Sequence, residues 1–215
     1  MSCPPSEASD AIPVQLTRTE QGWQLLRDAE PYLIQGAGAN KARDQLAAAG
    51  ANSIRTWGAD DIEALLDEAH KLGLTVSIGI WLGHERHGFD YGDPAQVQAQ
   101  FEQAREYVLE YRDHPALLIW GVGNEMEGYE AGDNPAIWEA VNDIALMIKE
   151  LDPNHPTMTV TADIGGGRVQ SINELAPAID IHAVNSYGGA TSLVERYKAA
   201  GGTKPIILTE FGPPG

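Results

Sequence analysis

From Tyr32 onward, seven apolar runs alternate with helix-patterned stretches, and this alternation constrains the fold more than any other feature of the chain. The runs are YLIQGAG (32–38), NSIRTWG (52–58), LTVSIGIWLG (74–83), LLIWGVGNE (117–125), TMTVTAD (157–163), DIHAVNSYG (180–188) and PIILTEFG (205–212). Most are continuously apolar rather than alternating, as strands covered on both faces are. Between them, KARDQLAAAG ends on a glycine stop, and Asp60-Asp61 is expected to cap IEALLDEAHKLG. Pro94 opens PAQVQAQFEQAREYVLEYRDH at a first helical position. PAIWEAVNDIALMIKEL (135–151) stops before Asp152-Pro153, and SLVERYKAAGG (192–202) closes on two glycines.

Repeated strand-then-helix units of this length imply a parallel sheet with helical crossovers. Polar residues end nearly every run. That favours a barrel, whose strand ends ring one mouth, over an open sheet, where ligands gather at a switch point. The expected fold is therefore α/β, a (β/α)8 TIM-type barrel with about seven βα strands and its eighth unit missing. Residues 1–11 are expected as a disordered tail and 12–30 as an N-terminal β-hairpin, IPVQLT and WQLLRD joined at Glu20-Gln21-Gly22. Residues 31–215 form the expected catalytic barrel, truncated after its seventh strand at Pro213-Pro214-Gly215. Unpaired edges on strands this apolar are costly. Either a distorted closure or a homodimer across the open barrel edge is expected to cover them.

Two glutamates stand out. Glu125 closes LLIWGVGNE and Glu210 lies near the end of PIILTEFG. Carboxylates at the ends of two parallel barrel strands face one mouth. Such pairs cleave glycosidic bonds, one donating a proton while the other attacks or activates water.

The charge balance narrows the substrate. Thirty-one acidic against 14 basic residues give a net charge of −17, which argues against nucleic acid and an anionic membrane face. It favours a neutral substrate over a polyanionic glycan. No run approaches the roughly 18 apolar residues of a membrane span. Cys3 is the only cysteine, so neither an intrachain disulfide nor a thiolate metal cluster can form. The tail MSCPPSEASDA reads as a cloning remnant or loose end, or as a secreted, lipid-anchored bacterial protein whose mature chain began at Cys3. No cofactor or metal is expected.

At this point the residues resemble a known group. HPALLIWGVGNE (114–125) is similar to the acid/base strand of clan A glycoside hydrolases, especially family 2, where His-Pro precedes an apolar strand closed by Asn-Glu. ANSIRTWG (51–58) resembles the second strand, AVNSYGG (183–189) the sixth and KPIILTEFGP (204–213) the nucleophile strand. The missing eighth strand, the absent sandwich domains and an unassigned third-strand loop depart from the family pattern. The resemblance implies a retaining glycosidase acting on a carbohydrate with Glu125 as acid/base and Glu210 as nucleophile. It also implies that Asn124 meets the sugar 2-hydroxyl. Arg55 would hold Glu210 ionised and Tyr187 would donate to it. Trp57 and Trp81, placed at strand ends, are expected either to stack on sugar faces or, for at least one of them, to pack in the core or rim, with Asn185 and His84 as further subsite contacts. A transglycosylase on the same fold and a non-catalytic sugar-binding fragment are the alternatives.

Three other signals carry no expected chemistry. His84-Glu85-Arg86-His87 lacks the i,i+4 histidine spacing of a zinc protease. Gly36-Ala37-Gly38 lacks the third glycine of a dinucleotide fingerprint, and Gly165-Gly166-Gly167 lacks the lysine of a phosphate loop. The triple glycine is expected as a flexible loop after the fifth strand. His155, in a turn between Asn154 and Pro156, has no expected role.

Overall fold

The hairpin sits under the barrel. In the computed structural model, which describes residues 10–38, 41–126, 134–165 and 167–212, β1 (Val14–Thr19) pairs antiparallel with β2 (Gly22–Arg27), and β2 with β3 (Glu30–Pro31). Asp28 and Ala29 both lie at positive φ (52° and 62°), as the two-residue turn between twisted strands requires. Val14 N donates to Asn154 O at 2.8 Å, and Arg27 Nη2 to Pro115 O at 3.0 Å. Leu16, Leu25 and Tyr32 pack with Val14 on the apolar cluster of Leu118, Ile119, Met158, Val160, Ile181 and Ala183. The expected tail over 1–11, with Cys3, lies almost wholly outside the described residues, as do Gly166 and Pro213-Pro214-Gly215.

Seven parallel strands follow: β4 (Gly36–Gly38), β5 (Ser53–Arg55), β6 (Thr75–Ile80), β7 (Leu117–Asn124), β8 (Thr157–Ala162), β9 (Ile181–Tyr187) and β10 (Ile206–Gly212). Their order in the sheet is their order in sequence, and one helix follows each of the first six. The helices are α1 (Arg43–Ala48), α2 (Glu63–Lys71), α3 (Pro94–Tyr111), α4 (Pro135–Leu151), α5 (Arg168–Leu175) and α6 (Leu193–Ala199). This is the topology of a (β/α) barrel, nearly closed and one strand short of eight. Among the described residues, β4 and β10 each pair on one side only. A cavity of about 500 Å³ touches both edges, lined by Gly36, Ala37, Ile207 and Leu208 among others.

The main core lies between strands and helices, with Trp120, Trp138, Ile54, Leu66 and Ile78 fully buried. Each such aliphatic side chain contributes about 1.5–3 kcal/mol by leaving water. At the foot of β7 a buried carboxylate has a complete set of partners. Asp152 Oδ2 accepts from Trp120 Nε1 at 2.7 Å and His155 Nδ1 at 2.8 Å, while Oδ1 accepts from Asn154 N at 2.9 Å. No described helix is long and apolar enough to cross a membrane.

The structure departs from the sequence reading in three places. The first two barrel strands are three residues long rather than seven. The Asp60-Asp61 cap does not form: Ile62 is the N-cap, Asp61 is left-handed at φ 50°, and Asp60 accepts the Tyr107 hydroxyl instead. Helix α5 was not anticipated after the triple glycine. Pro94 does open α3, with Asp93 accepting from Ala95 N at 2.9 Å.

Candidate active site

Glu210 sits on β10 beside a break in register between Leu208 and Glu210. Such a bulge leaves one residue, here Thr209, out of step and re-aims its neighbours' side chains. The Glu210 carboxylate meets three donors. Oε1 accepts from Arg55 Nη1 and from Trp57 Nε1, both at 2.9 Å, and Oε2 accepts from the Tyr187 hydroxyl at 2.8 Å. Burial, the largest single influence, pushes the Glu210 pKa up. The Trp57, Tyr187 and Arg55 contacts together outweigh it and hold the carboxyl below the usual glutamate range. Burial likewise pulls Arg55 down against the attraction of Glu210. The guanidinium stays charged, since its ordinary value lies far above neutrality. The Tyr187 phenol is raised by its bond to Glu210, so its proton stays in place to be donated.

Glu125 stands one residue beyond the end of β7. Gly123 (φ 75°) and Glu125 (φ 50°) are both left-handed, and Glu125 N donates to Val160 O at 2.8 Å, so the chain turns sharply here. A non-glycine residue at positive φ is uncommon and points to a local constraint. Two contacts bracket the turn. His84 Nε2 lies 2.8 Å from Asn124 O, which can only accept, and Arg86 Nη1 donates to Glu125 O at 3.1 Å. Glu125 Oε1 accepts from Asn185 Nδ2 at 2.8 Å. Asn185 Nδ2 also reaches Asn124 Oδ1 at 3.3 Å, and its own Oδ1 accepts from Thr209 Oγ1 at 2.8 Å. Arg55 Nη2 completes the circuit on Asn124 Oδ1 at 2.6 Å.

Every residue singled out from the sequence except Trp81 and His84 therefore meets in one side-chain network at the strand ends. Asn185 is 3 % exposed and touches Glu125, with little surface left for a ligand. His84 is 2 % exposed, and burial lowers its pKa; its ring lies 4.8 Å from that of Trp81, which is half exposed. Two contributors escaped the sequence reading. Thr209 was visible only as a hydroxyl inside an apolar run, and Arg86 stood in a segment considered for zinc alone. Among the described residues no cluster of three or more His, Cys, Asp or Glu is placed to hold a metal ion.

Two carboxylates at the mouth of a parallel barrel, one clamped by Arg and Tyr and the other preceded by Asn, are the arrangement of clan A glycoside hydrolases. The comparisons agree. The family described as glycosyl hydrolases family 2, TIM barrel domain, matches residues 45–214, and the chain belongs to that family. The chain is 26 % identical over 196 residues to a probable mannan endo-1,4-β-mannosidase C of Aspergillus terreus, covering 75 % of this chain and 48 % of that protein. It is 25 % identical over 215 residues to a β-glucuronidase of Streptococcus agalactiae, covering 85 % of this chain and 35 % of that protein. It thus spans less than half the length of either relative. The solved structure of a β-D-glucuronidase from Dictyoglomus thermophilum superposes with a TM-score of 0.71 at 22 % identity, over 94 % of this chain and 39 % of the other.

Proposed function

We propose that this barrel hydrolyses a β-linked neutral glycan with retention of configuration, through a covalent glycosyl–Glu210 intermediate. Glu210 attacks the anomeric carbon while Glu125 gives its proton to the departing glycosidic oxygen. Glu125, now ionised, takes a proton from water as that water attacks the same carbon and releases Glu210. Asn124 faces the sugar 2-hydroxyl, a contact that strengthens in the transition state. Trp81, half exposed at the rim, offers a face for a sugar ring.

The unequal surroundings of the two carboxyl groups carry this reading. Three donors hold Glu210 ionised, as a nucleophile needs, whereas among the described residues the Glu125 carboxyl meets only the Asn185 amide. Retention further requires the carboxyl groups to stand about 5–5.5 Å apart, whereas about 6.5 Å or more with room for a water means inversion. Support for a neutral sugar comes from the arginines near the mouth. Arg55, Arg86, Arg168 and Arg196 already donate to Glu210, Glu125 O, Ala162 O and Asp163. The names of the relatives divide between mannan and β-glucuronide substrates, so the sugar is the point to test.

Aryl β-mannoside, β-glucoside and β-glucuronide, offered to the parent protein and to Glu125→Gln and Glu210→Gln, provide that test. Hydrolysis of the neutral glycosides is expected, falling at least about 100-fold in each variant. Full activity in either variant would overturn the assignment. Cleavage of the glucuronide alone would overturn the neutral substrate.

The single-sided pairing of β4 and β10 supports a second proposal, a homodimer that covers this edge. Light scattering is expected to give twice the 23.1 kDa chain mass, and a stable monomer would rule the dimer out.

A further inference from the structure

Trp57 is seated against glycine on two sides. A Cβ built at Gly38, the last residue of β4, would fall 2.4 Å from Trp57 Cη2. A Cβ at Gly79 on β6 would fall 2.8 Å from the Trp57 backbone. Both distances lie well inside van der Waals contact, so the ring and backbone of Trp57 occupy space that any larger residue would take. The guanidinium carbon of Arg55 stands 5.3 Å from the ring centroid, within cation–π range. The polar edge of the ring is committed as well, because its N–H donates to Glu210 Oε1.

We infer that Trp57 is a positioning residue for the nucleophile rather than a sugar platform: its indole N–H, fixed by the Gly38 seat, holds Glu210 Oε1 and leaves Oε2 to attack. This rests on the reading of Glu210 as nucleophile and adds to it. Oε1 carries two N–H donors on aromatic or guanidinium planes, while among the described residues Oε2 carries only a rotatable hydroxyl. When Oε2 bonds to the anomeric carbon, the glycosidic bond breaks, and its electron pair leaves on the oxygen that takes the Glu125 proton. Oε1 becomes the carbonyl oxygen of the ester and still accepts both N–H groups. In the second step the same donors stabilise the carboxylate as it departs. The indole supplies this without adding charge beside Arg55.

The sign of the effect follows. A donor to the ionised carboxylate favours that form, so its loss raises the pH at which Glu210 titrates. The other groups around Glu210 remain: Arg55 from β5, Tyr187 from β9, and Glu125 beyond β7, whose charge acts on Arg55 and Tyr187.

Trp57→Phe removes the N–H and keeps an aromatic face, whereas Gly38→Ala keeps the indole and drives it from its seat. Carbon-13 NMR titration of the Glu210 carboxyl, assigned by its loss in Glu210→Gln, reads the contact without any substrate. Both variants are expected to titrate at higher pH than the parent. The acidic limb of kcat/KM for an aryl β-glycoside should follow, with kcat lowered about 10-fold and KM changed less. If Trp57→Phe fails to fold, Gly38→Ala carries the same expectation. An unshifted titration in an active protein would overturn this inference alone. Shifted titrations in a parent protein that hydrolyses no glycoside would overturn the nucleophile reading, and this inference with it.

Discussion

Arg55 Nη1 lies 2.9 Å from Glu210 Oε1, an ion pair between residues 155 positions apart. It spans the side of the barrel on which β4 and β10 do not hydrogen-bond to each other. The same guanidinium reaches Asn124 Oδ1, so one side chain ties together the strand that carries Glu210 and the strand that leads into Glu125.

Arg55→Lys therefore tests geometry rather than charge. A lysine places one ammonium where a planar fork now serves two acceptors. kcat/KM should fall about 10- to 100-fold while the folded structure persists, read by kinetics alongside circular dichroism. Wild-type turnover would mean that the fork does not hold the site.

Asn185→Ala removes the amide that meets Glu125 Oε1. A loss of about 10-fold in kcat is expected, with a smaller loss for Thr209→Val, which removes only the hydroxyl that orients the Asn185 amide. A larger effect of Thr209→Val than of Asn185→Ala would contradict this order of dependence.

These contacts show what local sequence could and could not disclose. Most strands were legible because buried parallel strands tend to be apolar on both faces, and LLIWGVGNE left little choice. The site was legible because the resemblance named residues strand by strand. The brevity of β4 and β5 was hidden, since Tyr32 and Ile34 leave the ladder to pack with the hairpin on the Val14 cluster, and Thr56 and Trp57 leave it where Trp57 reaches Glu210. RVQSINEL, with Val169 and Ile172 its buried residues, gave too thin an apolar stripe to be read as helix α5. Asp60 and Asp61 had the composition of a cap, but a hydroxyl on another helix claimed Asp60. His155 showed no local pattern at all. Its partner Asp152 became meaningful only once β7 brought Trp120 to the same carboxylate.

That last cluster predicts a stability effect remote from the chemistry. Asp152→Ala would strand the Trp120 and His155 donors in a site where both carboxylate and imidazole are almost fully buried. A loss of about 3 kcal/mol is expected in urea denaturation, with kcat of the folded protein unchanged. A change below about 1 kcal/mol would mean that water reaches these groups.

The pH dependence follows from Glu210. Its folded-state pKa is depressed, so its contribution to stability is present above the ordinary carboxylate value of about 4.3 and lost as pH falls through the lower folded value. The thermal midpoint of the parent relative to Glu210→Gln should thus decline only on the acidic side of that value. A decline beginning near neutrality would assign the effect to other groups.

Covalent trapping tests the central claim most directly. A 2,4-dinitrophenyl 2-deoxy-2-fluoro-β-glycoside of the sugar that the protein hydrolyses should release one equivalent of phenolate and leave a glycosyl adduct on Glu210, located by peptide mass spectrometry. Glu125→Gln should retain the same labelling site, since a good leaving group needs no acid, and Glu210→Gln should acquire no label. An adduct on any other residue, or turnover of the parent sugar with no trapped intermediate, would contradict Glu210 as the nucleophile of a retaining glycosidase.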